Sequence, residues 1–507
     1  MANENNKRIA KNTLMLYFRM LLTMGVSLYT SRVVLEVLGV EDFGIYNVVG
    51  GVVAMFSILC GSLSSAISRF LTYELGKKDY EKLKKIFSSA VTIQIILSLI
   101  VFVLAESIGI WFLNAKMNIP IERLRAANWV FQCSVITFIV NLLNVPFNAV
   151  IIAHEQMKVF AYVSILDALL KLVIAYVLFI SSFDKLIVYA LLLLMVSVII
   201  RLVYNNYCKR HFNECTYQFV FERTLFNEIF KFAGWNFIGS SSAVLREHGV
   251  NVLLNLFCGP VVNAAKGIAV QVNSAVNGFA SNFITALKPQ IIKSYASGDY
   301  KYLMTLVQQG ARFSFYMLLF LSLPVIMDTE TVLNIWLKNV PVHTVNFVRL
   351  TLIFVLSESI SGTLITAMSA TGKIKKYQLI VGGLQILNFP ISYLLLRIGL
   401  IPEITMLTAI FLSQICLMAR LWLLRGMINL SARYYLRYVY GNVLIVSVLS
   451  ICLPYLVFIN METGIIRFVC VTIMSVISTT SMIFIVGCSS QERLFVWNKV
   501  KLFIFKK

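Results

Sequence analysis

Two consecutive hydrophobic segments decide the fold, and together they read 226-FNEIFKFAGWNFIGSSSAVLREHGVNVLLNLFCGPVVNAAKGIAVQVNSAVNGFASNFITALK-288. Each is long enough to cross a bilayer, because about 20 mostly apolar residues span its hydrocarbon core. Both carry polar side chains in their middles. The first contains Arg246, Glu247 and His248, and the second places Lys266 and several amides and hydroxyls among apolar residues. The stretch therefore predicts two membrane helices with polar faces.

The polar positions of the second segment repeat at helical spacing. Steps of three, four or seven residues connect Lys266, Asn273, Asn277, Ser281, Thr285 and Lys288. Residues at such spacing share one face of a helix. An arginine at the bilayer centre costs roughly 2.5 to 3.5 kcal/mol on insertion scales and usually faces a bundle interior or a pathway. Two interpretations are open: the stripe lines a watery pathway, or Arg246 is neutralised by a neighbouring helix and the amides and hydroxyls join helices.

The composition is that of a polytopic membrane protein. The chain has 507 residues, of which 59% are hydrophobic and 13% are charged. Apolar stretches of membrane-spanning length recur along nearly the whole chain and leave no room for a soluble domain of ordinary size. We therefore expect about 14 transmembrane helices. The first apolar stretch has no small-residue cleavage site, so we expect a retained signal anchor that forms the first membrane helix and not a cleaved signal peptide.

The net charge of +21 follows membrane topology. About two thirds of the 44 lysine and arginine residues lie in alternate loops on the side that includes both termini. The positive-inside rule places that side in the cytoplasm. The basic residues are expected to touch anionic membrane lipids, and no nucleic-acid partner is expected.

An internal repeat relates the two halves of the chain. A shift of 220 positions aligns Gly39 with Gly259, Ala66 with Ala286, Asp79 with Asp299, and Tyr80 with Tyr300. A shift of 217 positions aligns Ala153 with Ala370 and Lys158 with Lys375. Each repeat holds six spans, an even number, so the two halves share one orientation and should be related by an axis along the membrane normal.

The predicted fold class is therefore an all-α integral membrane protein with about 14 transmembrane helices. Two six-helix lobes, residues 1–215 and 216–430, are expected to be related by a pseudo-twofold axis along the membrane normal and to enclose a cavity. Two additional transmembrane helices (431–487) and a basic cytoplasmic tail (488–507) lie outside the repeat.

Charged and polar residues inside the predicted spans are the candidate site residues. In the repeat, Arg19 roughly matches the helix that contains Arg246, and Asn47 belongs to the span equivalent to the one that carries Lys266. Asp167 and Lys171 are four residues apart, which favours an intrahelical ion pair. Glu358 and Arg312 are further intramembrane charges whose partners the sequence does not specify, so these four residues serve either ion coupling or structure.

Motifs for enzyme chemistry are absent from the sequence. Gly372-Lys373-Ile374 lacks the hydroxyl residue and the preceding glycine of a phosphate-binding loop. The four histidines lie in separate segments without ligands at zinc spacing, so neither a metal nor a cofactor is expected. The outer loops are too short for a membrane-embedded transferase. These features favour a transporter over an enzyme.

Several short motifs resemble one family. The segment 38-LGVEDFGIY-46, preceded by Ser31-Arg32, is similar to the first outer loop of the polysaccharide-biosynthesis flippases, which belong to the multidrug, oligosaccharidyl-lipid and polysaccharide exporter superfamily. The segments 68-SRF-70, 76-GKKDY-80 and 370-ATGK-373 are also similar to that family. With fourteen spans, the resemblance extends over the full chain.

The resemblance implies a function. Members of that family export undecaprenyl-pyrophosphate-linked oligosaccharide, the repeat unit of O-antigen, capsule or exopolysaccharide, from the cytoplasmic to the periplasmic leaflet of the bacterial inner membrane. Transport by alternating access of the lobes, driven by an ion gradient or a membrane potential, is implied as well. The implied partners are the lipid-linked oligosaccharide, membrane lipids and the polysaccharide polymerase machinery, with the transporter acting as a monomer.

The resemblance also suggests roles for individual residues. A cationic lumen suits a diphosphate, and Arg19, Arg246 and Lys266 are the candidates to bind it, since arginine donates bidentate, charge-assisted bonds to phosphate. The polar lining expected to contact sugar hydroxyls comprises Asn47, His248, Asn273, Asn277 and Ser281.

Two other transport functions are open. A multidrug extruder of the same superfamily would exchange organic cations for protons or sodium, and it needs a carboxylate in its cavity. The N-terminal lobe offers only Asp167 deep within a span, so the positive balance favours an anionic cargo. A flippase for a lipid-linked peptidoglycan precursor also fits a positive lumen.

Overall fold

The computed structural model describes residues 2–54, 57–115, 119–218, 222–337, 340–494 and 497. All regular structure within these residues is helical, which confirms the predicted all-α class. Helices suit this chain because they satisfy every backbone N–H and C=O group without water, as the hydrocarbon core requires.

Nine helices occupy the first part of the described chain. They are α1 (Ala2–Ala54), α2 (Ser57–Lys77), α3 (Tyr80–Leu104), α4 (Ile110–Ala115), α5 (Leu124–Ala153), α6 (Met157–Ile180), α7 (Lys185–His211), α8 (Arg223–Cys258) and α9 (Pro260–Ala296). Ten helices follow in the rest of the described residues. They are α10 (Tyr300–Met327), α11 (Thr329–Trp336), α12 (Thr344–Ser359), α13 (Gly362–Thr371), α14 (Lys375–Ile386), α15 (Asn388–Arg397), α16 (Ile404–Ile428), α17 (Ala432–Tyr435), α18 (Gly441–Asn460) and α19 (Ile465–Met482).

Eleven helical stretches of the described residues are long and apolar enough to cross a membrane. They coincide with eleven of the fourteen spans that the sequence predicts, at roughly 10–31, 86–113, 127–152, 159–181, 185–204, 303–327, 345–369, 377–396, 402–424, 435–458 and 464–486. The other three predicted spans fall on the end of α1 with α2, on α8 and on α9, where polar residues interrupt the apolar sequence. The chain is a multi-pass membrane protein, and fourteen crossings are consistent with its helices.

The chain forms two compact units. Unit 1 comprises Met1–Ser240 and Ile292–Gly298, and unit 2 comprises Ser241–Ile291 and Asp299–Lys507. The long helices α8 and α9 each contribute residues to both units. The division into two lobes and two appended helices stays a prediction.

Unit 1 contains a buried carboxylate that joins three segments. The Glu155 side chain is 1% exposed, and its oxygens lie 2.6 Å from Lys293 Nζ and 2.8 Å from Arg8 Nε. Asn12 also donates a 3.3 Å hydrogen bond to the backbone carbonyl of Glu155. Two cations compensate the buried charge, and the last turns of α9 are thereby fastened to α1 and to the connection between α5 and α6.

In unit 2, the two last long helices are tied to α10 and its C-terminal end. Arg467 on α19 donates to both oxygens of the buried Asp328, at 2.8 and 3.2 Å. Arg312 on α10 lies 2.8 Å from Glu492, beyond the end of α19. Charge-assisted pairs of this kind are strong when they are shielded from water. The segment from α18 to Glu492 is therefore an integral part of unit 2.

The internal repeat is also visible in the backbone. Left-handed φ angles occur at both members of three aligned pairs: Gly39 (78°) and Gly259 (82°), Lys78 (61°) and Gly298 (77°), and Glu155 (60°) and Gly372 (76°). Asp79 caps α3 by accepting from Lys82 N at 3.1 Å, and Asp299 caps α10 by accepting from Tyr302 N at 3.0 Å. The aligned positions thus share turn geometry as well as residue type.

Substitution of Gly39 tests this geometry. Gly39 has φ 78° and ψ 168°, a backbone region that only glycine adopts readily. Although no atom would clash with an added Cβ, Gly39→Ala is expected to lower the free energy of unfolding by about 1 to 3 kcal/mol. The measurement is thermal or denaturant unfolding of the purified protein in detergent.

Gly25→Ala is the matched control. Gly25 lies in the same helix with ordinary helical backbone and open space around it, so alanine should be neutral or stabilising there. Equal stability of the two variants would contradict the assigned role of Gly39.

Candidate functional site

A polar cavity of about 70 Å³ lies inside unit 2, between α8, α9, α12, α15 and α16. Its polar lining consists of Arg246, Glu247, Lys266, Asn273, Thr351, Asn388 and Thr405, and its apolar lining of Val250, Val270, Phe354, Met406 and Ala409. The structure thus brings together three predicted site residues, Arg246, Lys266 and Asn273. A space of this size holds a few water molecules or a small polar group.

The two cations of this cavity contact aromatic rings and sulfur. The Arg246 guanidinium carbon lies 5.0 Å from the centroid of the Phe354 ring. Lys266 is 6% exposed, and its Nζ lies 2.6 Å from Met406 Sδ and 5.9 Å from the centroid of the Phe347 ring. A thioether is a weak acceptor and a ring face carries no net charge, so these contacts supply no negative charge to either cation.

Three other cations of unit 2 are paired with carboxylates. The pairs are Arg312 with Glu492 (2.8 Å), Arg420 with Glu358 (3.7 Å), and Arg467 with Asp328 (2.8 Å). In the part of the chain that the structure describes, neither Arg246 nor Lys266 has a carboxylate within 4.0 Å. Glu247 lines the same cavity but does not reach that distance. The cavity therefore combines two unpaired cations with one carboxylate farther away.

Two uncharged groups of the cavity also lack partners. Asn273 Oδ1 and Thr351 Oγ1 are buried and have no hydrogen bond among the described residues. A buried polar atom without a partner costs about 1 to 3 kcal/mol. Such atoms are usually satisfied by water or a ligand. The two cations and the Thr351 hydroxyl can donate to an anionic, oxygen-rich group, whereas Asn273 Oδ1 can only accept a hydrogen bond.

Two of the remaining polar candidates, Asn277 and Ser281, do not line this cavity. Asn277 and Ser281 continue along α9 with exposed side chains. Asn47 lies in α1 and His248 in α8, and their side chains are outside the described residues. The cavity therefore uses the first part of the predicted stripe on α9, from Lys266 to Asn273.

The predicted charges of unit 1 have local contacts. The Arg19 guanidinium carbon lies 4.7 Å from the centroid of the Phe160 ring, where α1 packs against α6. Lys171 Nζ lies 2.7 Å from Asp167 Oδ2 on the same helix. An ion pair four residues apart is a common structural element of helices.

Several lining residues were not singled out in the sequence. Thr351, Asn388 and Thr405 come from α12, α15 and α16. These helices carry other polar residues as well, and the sequence does not show which of them face a common cavity. Asn388 offered a weak signal, because an amide two residues before Pro390 in a membrane span needs a partner.

The family of the chain follows from comparison with known proteins. The family model described as polysaccharide biosynthesis protein matches residues 9–294, more than half of the chain. The chain belongs to this family. The uncharacterized membrane protein EpsK of Bacillus subtilis (strain 168) is 22% identical over 295 residues, which are 58% of this chain. The match likewise covers only 58% of that relative's length.

Solved transporter structures share the fold. An outward-facing multidrug resistance transporter of the MATE family in the MOP superfamily has a TM-score of 0.72 and 13% identity, covering 83% of this chain and 96% of its own. MATE in the straight conformation has a TM-score of 0.74 and 13% identity, with 84% and 96% covered.

A third structure carries a different description of its pocket. A MOP superfamily transporter from Pyrococcus furiosus, described as having a binding pocket of reverse polarity, has a TM-score of 0.69 and 13% identity, with 83% and 96% covered. At such identities the likeness of all three structures defines the fold alone.

Lys266→Met tests whether the cavity cation is unpaired. Methionine preserves the length of the side chain and removes a buried charge without a partner, so stability should be unchanged or higher. Arg467→Met is the contrasting variant, because it leaves Asp328 buried and unpaired, and it should cost about 3 to 5 kcal/mol. The measurement is the unfolding midpoint in detergent, and equal losses in the two variants would contradict the assignment of Lys266.

A second polar group lies just before α16. His343 Nδ1 is 2.7 Å from Glu403 Oε1, and Asn346 Nδ2 donates to the same oxygen at 3.0 Å. Burial acts to raise the pKa of Glu403, but the hydrogen bonds from His343 and Asn346 outweigh it and hold the pKa below its ordinary value. A carboxylate with a depressed pKa stabilises the fold above its unfolded pKa, and this stability is lost as the pH falls through the folded value.

Glu403→Gln should therefore destabilise the protein in a pH-dependent way. The loss is expected in full at pH 7 and should shrink as the pH falls below about 4, the ordinary range for glutamate. Unfolding midpoints measured between about pH 3.5 and 7 test this, with the exposed Glu462→Gln as the control. A deficit that stays constant over this range would show that the charge of Glu403 is not stabilising.

Proposed function

We propose that the chain translocates undecaprenyl-pyrophosphate-linked oligosaccharide repeat units from the cytoplasmic to the outer leaflet of a bacterial inner membrane by alternating access. Membership in the polysaccharide biosynthesis family supports the cargo class. The fold shared with MOP superfamily transporters supports transport as the activity. The excess of basic residues on one side supports cytoplasmic termini.

The observation that carries the proposal is the pair of cations in unit 2 that have no described carboxylate within ion-pair distance. Arg246 and Lys266 line one cavity without a carboxylate partner among the described residues. A diphosphate would neutralise both. The guanidinium fork of Arg246 suits bidentate contact with a phosphoryl group, and Lys266 supplies a compact point charge.

The uncharged groups of the cavity complete this recognition. Thr351 supplies a hydroxyl and Asn273 a carboxamide, and both groups can donate hydrogen bonds to phosphate oxygens. The cavity of about 70 Å³ is too small for sugars or a polyprenyl chain. We assign sugar contacts to the exposed polar positions farther along α9, Asn277 and Ser281.

The other residues that the sequence analysis singled out are also assigned roles in this proposal. Arg19 is assigned to diphosphate binding, and Asn47 and His248 to the polar lining, on the strength of the repeat and the family resemblance. Asp167, Lys171, Glu358 and Arg312 are assigned to ion pairs that serve structure or coupling. The proposal treats the chain as a monomer that hands its product to polysaccharide polymerase machinery and needs no cofactor.

The second candidate function is export of organic cations. Glu247 favours it, because this carboxylate lines the cavity. The MATE transporters that share the fold favour it as well. Two cations beside one carboxylate would repel a cationic drug, however, so we rank this function second. A peptidoglycan-precursor flippase would use the same diphosphate chemistry and differs only in the sugar.

Binding of undecaprenyl pyrophosphate tests the proposal. A charge-assisted hydrogen bond contributes about 1.5 to 3 kcal/mol, so Arg246→Ala and Lys266→Ala should each weaken binding by at least about tenfold. The measurement uses full-length protein in lipid nanodiscs. Arg433→Ala is the control, because it removes the same charge from an exposed position in unit 2.

Other outcomes favour the competing function. Wild-type protein that fails to bind undecaprenyl pyrophosphate would refute the proposal. Binding of ethidium that is lost in Glu247→Gln would support the cation exporter instead.

In cells, deletion of the gene should abolish surface polysaccharide, and the two cavity variants should not restore it at normal protein levels.

A further inference from the structure

A second cavity of about 500 Å³ lies at one end of unit 2, between α11 and α12. We call it the outer recess, because the charge distribution predicts that this end faces outward. Its polar lining is Glu330, Asn334, His343 and Asn346. It is seven times larger than the cationic cavity and lies in the connection between two predicted spans.

The chemistry of the outer recess suits a neutral polyhydroxyl ligand. A carboxylate, two carboxamides and an imidazole offer both donors and acceptors, as sugar hydroxyls require. The described lining contains no lysine or arginine for a phosphate. No group of three metal-ligating side chains is present among the described residues. The donors and acceptors of the described lining therefore favour a carbohydrate ligand.

Two of the polar groups are held in place by Glu403. Asn346 Nδ2 and His343 Nδ1 both contact Glu403 Oε1, at 3.0 and 2.7 Å. The opposite atoms, Asn346 Oδ1 and His343 Nε2, keep their hydrogen-bonding capacity. Groups held in this way lose little conformational entropy when a ligand binds.

The other two polar groups lie on α11. Glu330 and Asn334 are four residues apart and therefore share one face of this helix. Both side chains are exposed within the recess. Paired groups at this spacing can contact neighbouring hydroxyls of one sugar ring.

The outer recess and the cationic cavity share helix α12. On α12, Asn346 lines the recess, while Thr351 and Phe354 line the cavity. Five to eight residues of helix correspond to about 7 to 12 Å. On the other side, Glu403 immediately precedes the start of α16, where Thr405 lines the cavity. One elongated ligand can therefore reach both sites.

We propose that the outer recess is a carbohydrate-binding subsite, which holds the sugars nearest the diphosphate while the diphosphate occupies the cavity of Arg246 and Lys266. This inference rests on the proposed function. It assigns the sugar chemistry of unit 2 to Glu330, Asn334, His343 and Asn346, in addition to the stripe on α9.

Two probes test the subsite on full-length protein in nanodiscs. One is the repeat-unit oligosaccharide released by mild acid from the lipid-linked pool of the encoding bacterium, free of lipid and phosphate. The other is inorganic pyrophosphate. The double variant Glu330→Ala/Asn334→Ala should weaken oligosaccharide binding at least tenfold and leave pyrophosphate binding within twofold of wild type. Arg246→Ala should show the reverse pattern.

Two further variants make the test decisive. Val342→Trp should block the oligosaccharide by filling the recess, because Val342 is a lining residue with 70% exposure. Glu462→Ala, which removes an exposed carboxylate elsewhere in unit 2, should change neither affinity.

The outcomes separate this inference from the proposed function. Oligosaccharide binding that is unchanged in both recess variants would overturn the subsite. Wild-type protein that binds pyrophosphate but not the oligosaccharide would overturn it too and leave the proposed function intact. Failure of pyrophosphate to bind, with retained and recess-dependent oligosaccharide binding, would support the subsite and count against the diphosphate site.

Discussion

The cost of an unpaired charge in a hydrocarbon environment is the constraint on which the rest of this structure depends. In unit 2, Glu358 compensates the charge of Arg420, and Asp328 compensates the charge of Arg467. These pairs also join helices that are distant in the sequence, so charge compensation and packing are achieved together. Among the described residues, no carboxylate lies within 4.0 Å of Arg246 or Lys266, and this difference from the paired cations is the basis of the proposed ligand site.

The helices that carry Arg246 and Lys266, α8 and α9, each contribute residues to both units. Helix α9 supplies Lys266 and Asn273 to the cavity of unit 2, and its last turns belong to unit 1, where Lys293 binds the buried Glu155. About 30 Å of continuous helix separates Asn273 from Lys293. One continuous helix therefore carries cavity residues of unit 2 and a residue of the buried ion-pair cluster of unit 1.

Much of the fold could be predicted because the bilayer restricts the choice of structure. Long apolar segments in a membrane protein form helices. The polar residues within α8 and α9 predicted that these two helices have polar faces. The repeat was readable from pairs such as Gly39 and Gly259, since a positive φ angle favours glycine and both members of this pair adopt one. The local ion pair of Asp167 and Lys171 is readable too, because one helical turn brings them together.

The sequence by itself determined the helical class, the polar face of α9 and the candidacy of Arg246, Lys266 and Asn273, because these depend on composition and helical spacing. Only the tertiary structure decided which cations are paired, as Arg312 with Glu492 and Arg420 with Glu358. It also decided that Thr351 and Asn388 join the cavity and that Asn277 and Ser281 do not. The reason is that these contacts link residues far apart in the chain, and helical periodicity carries no information about which faces of different helices meet.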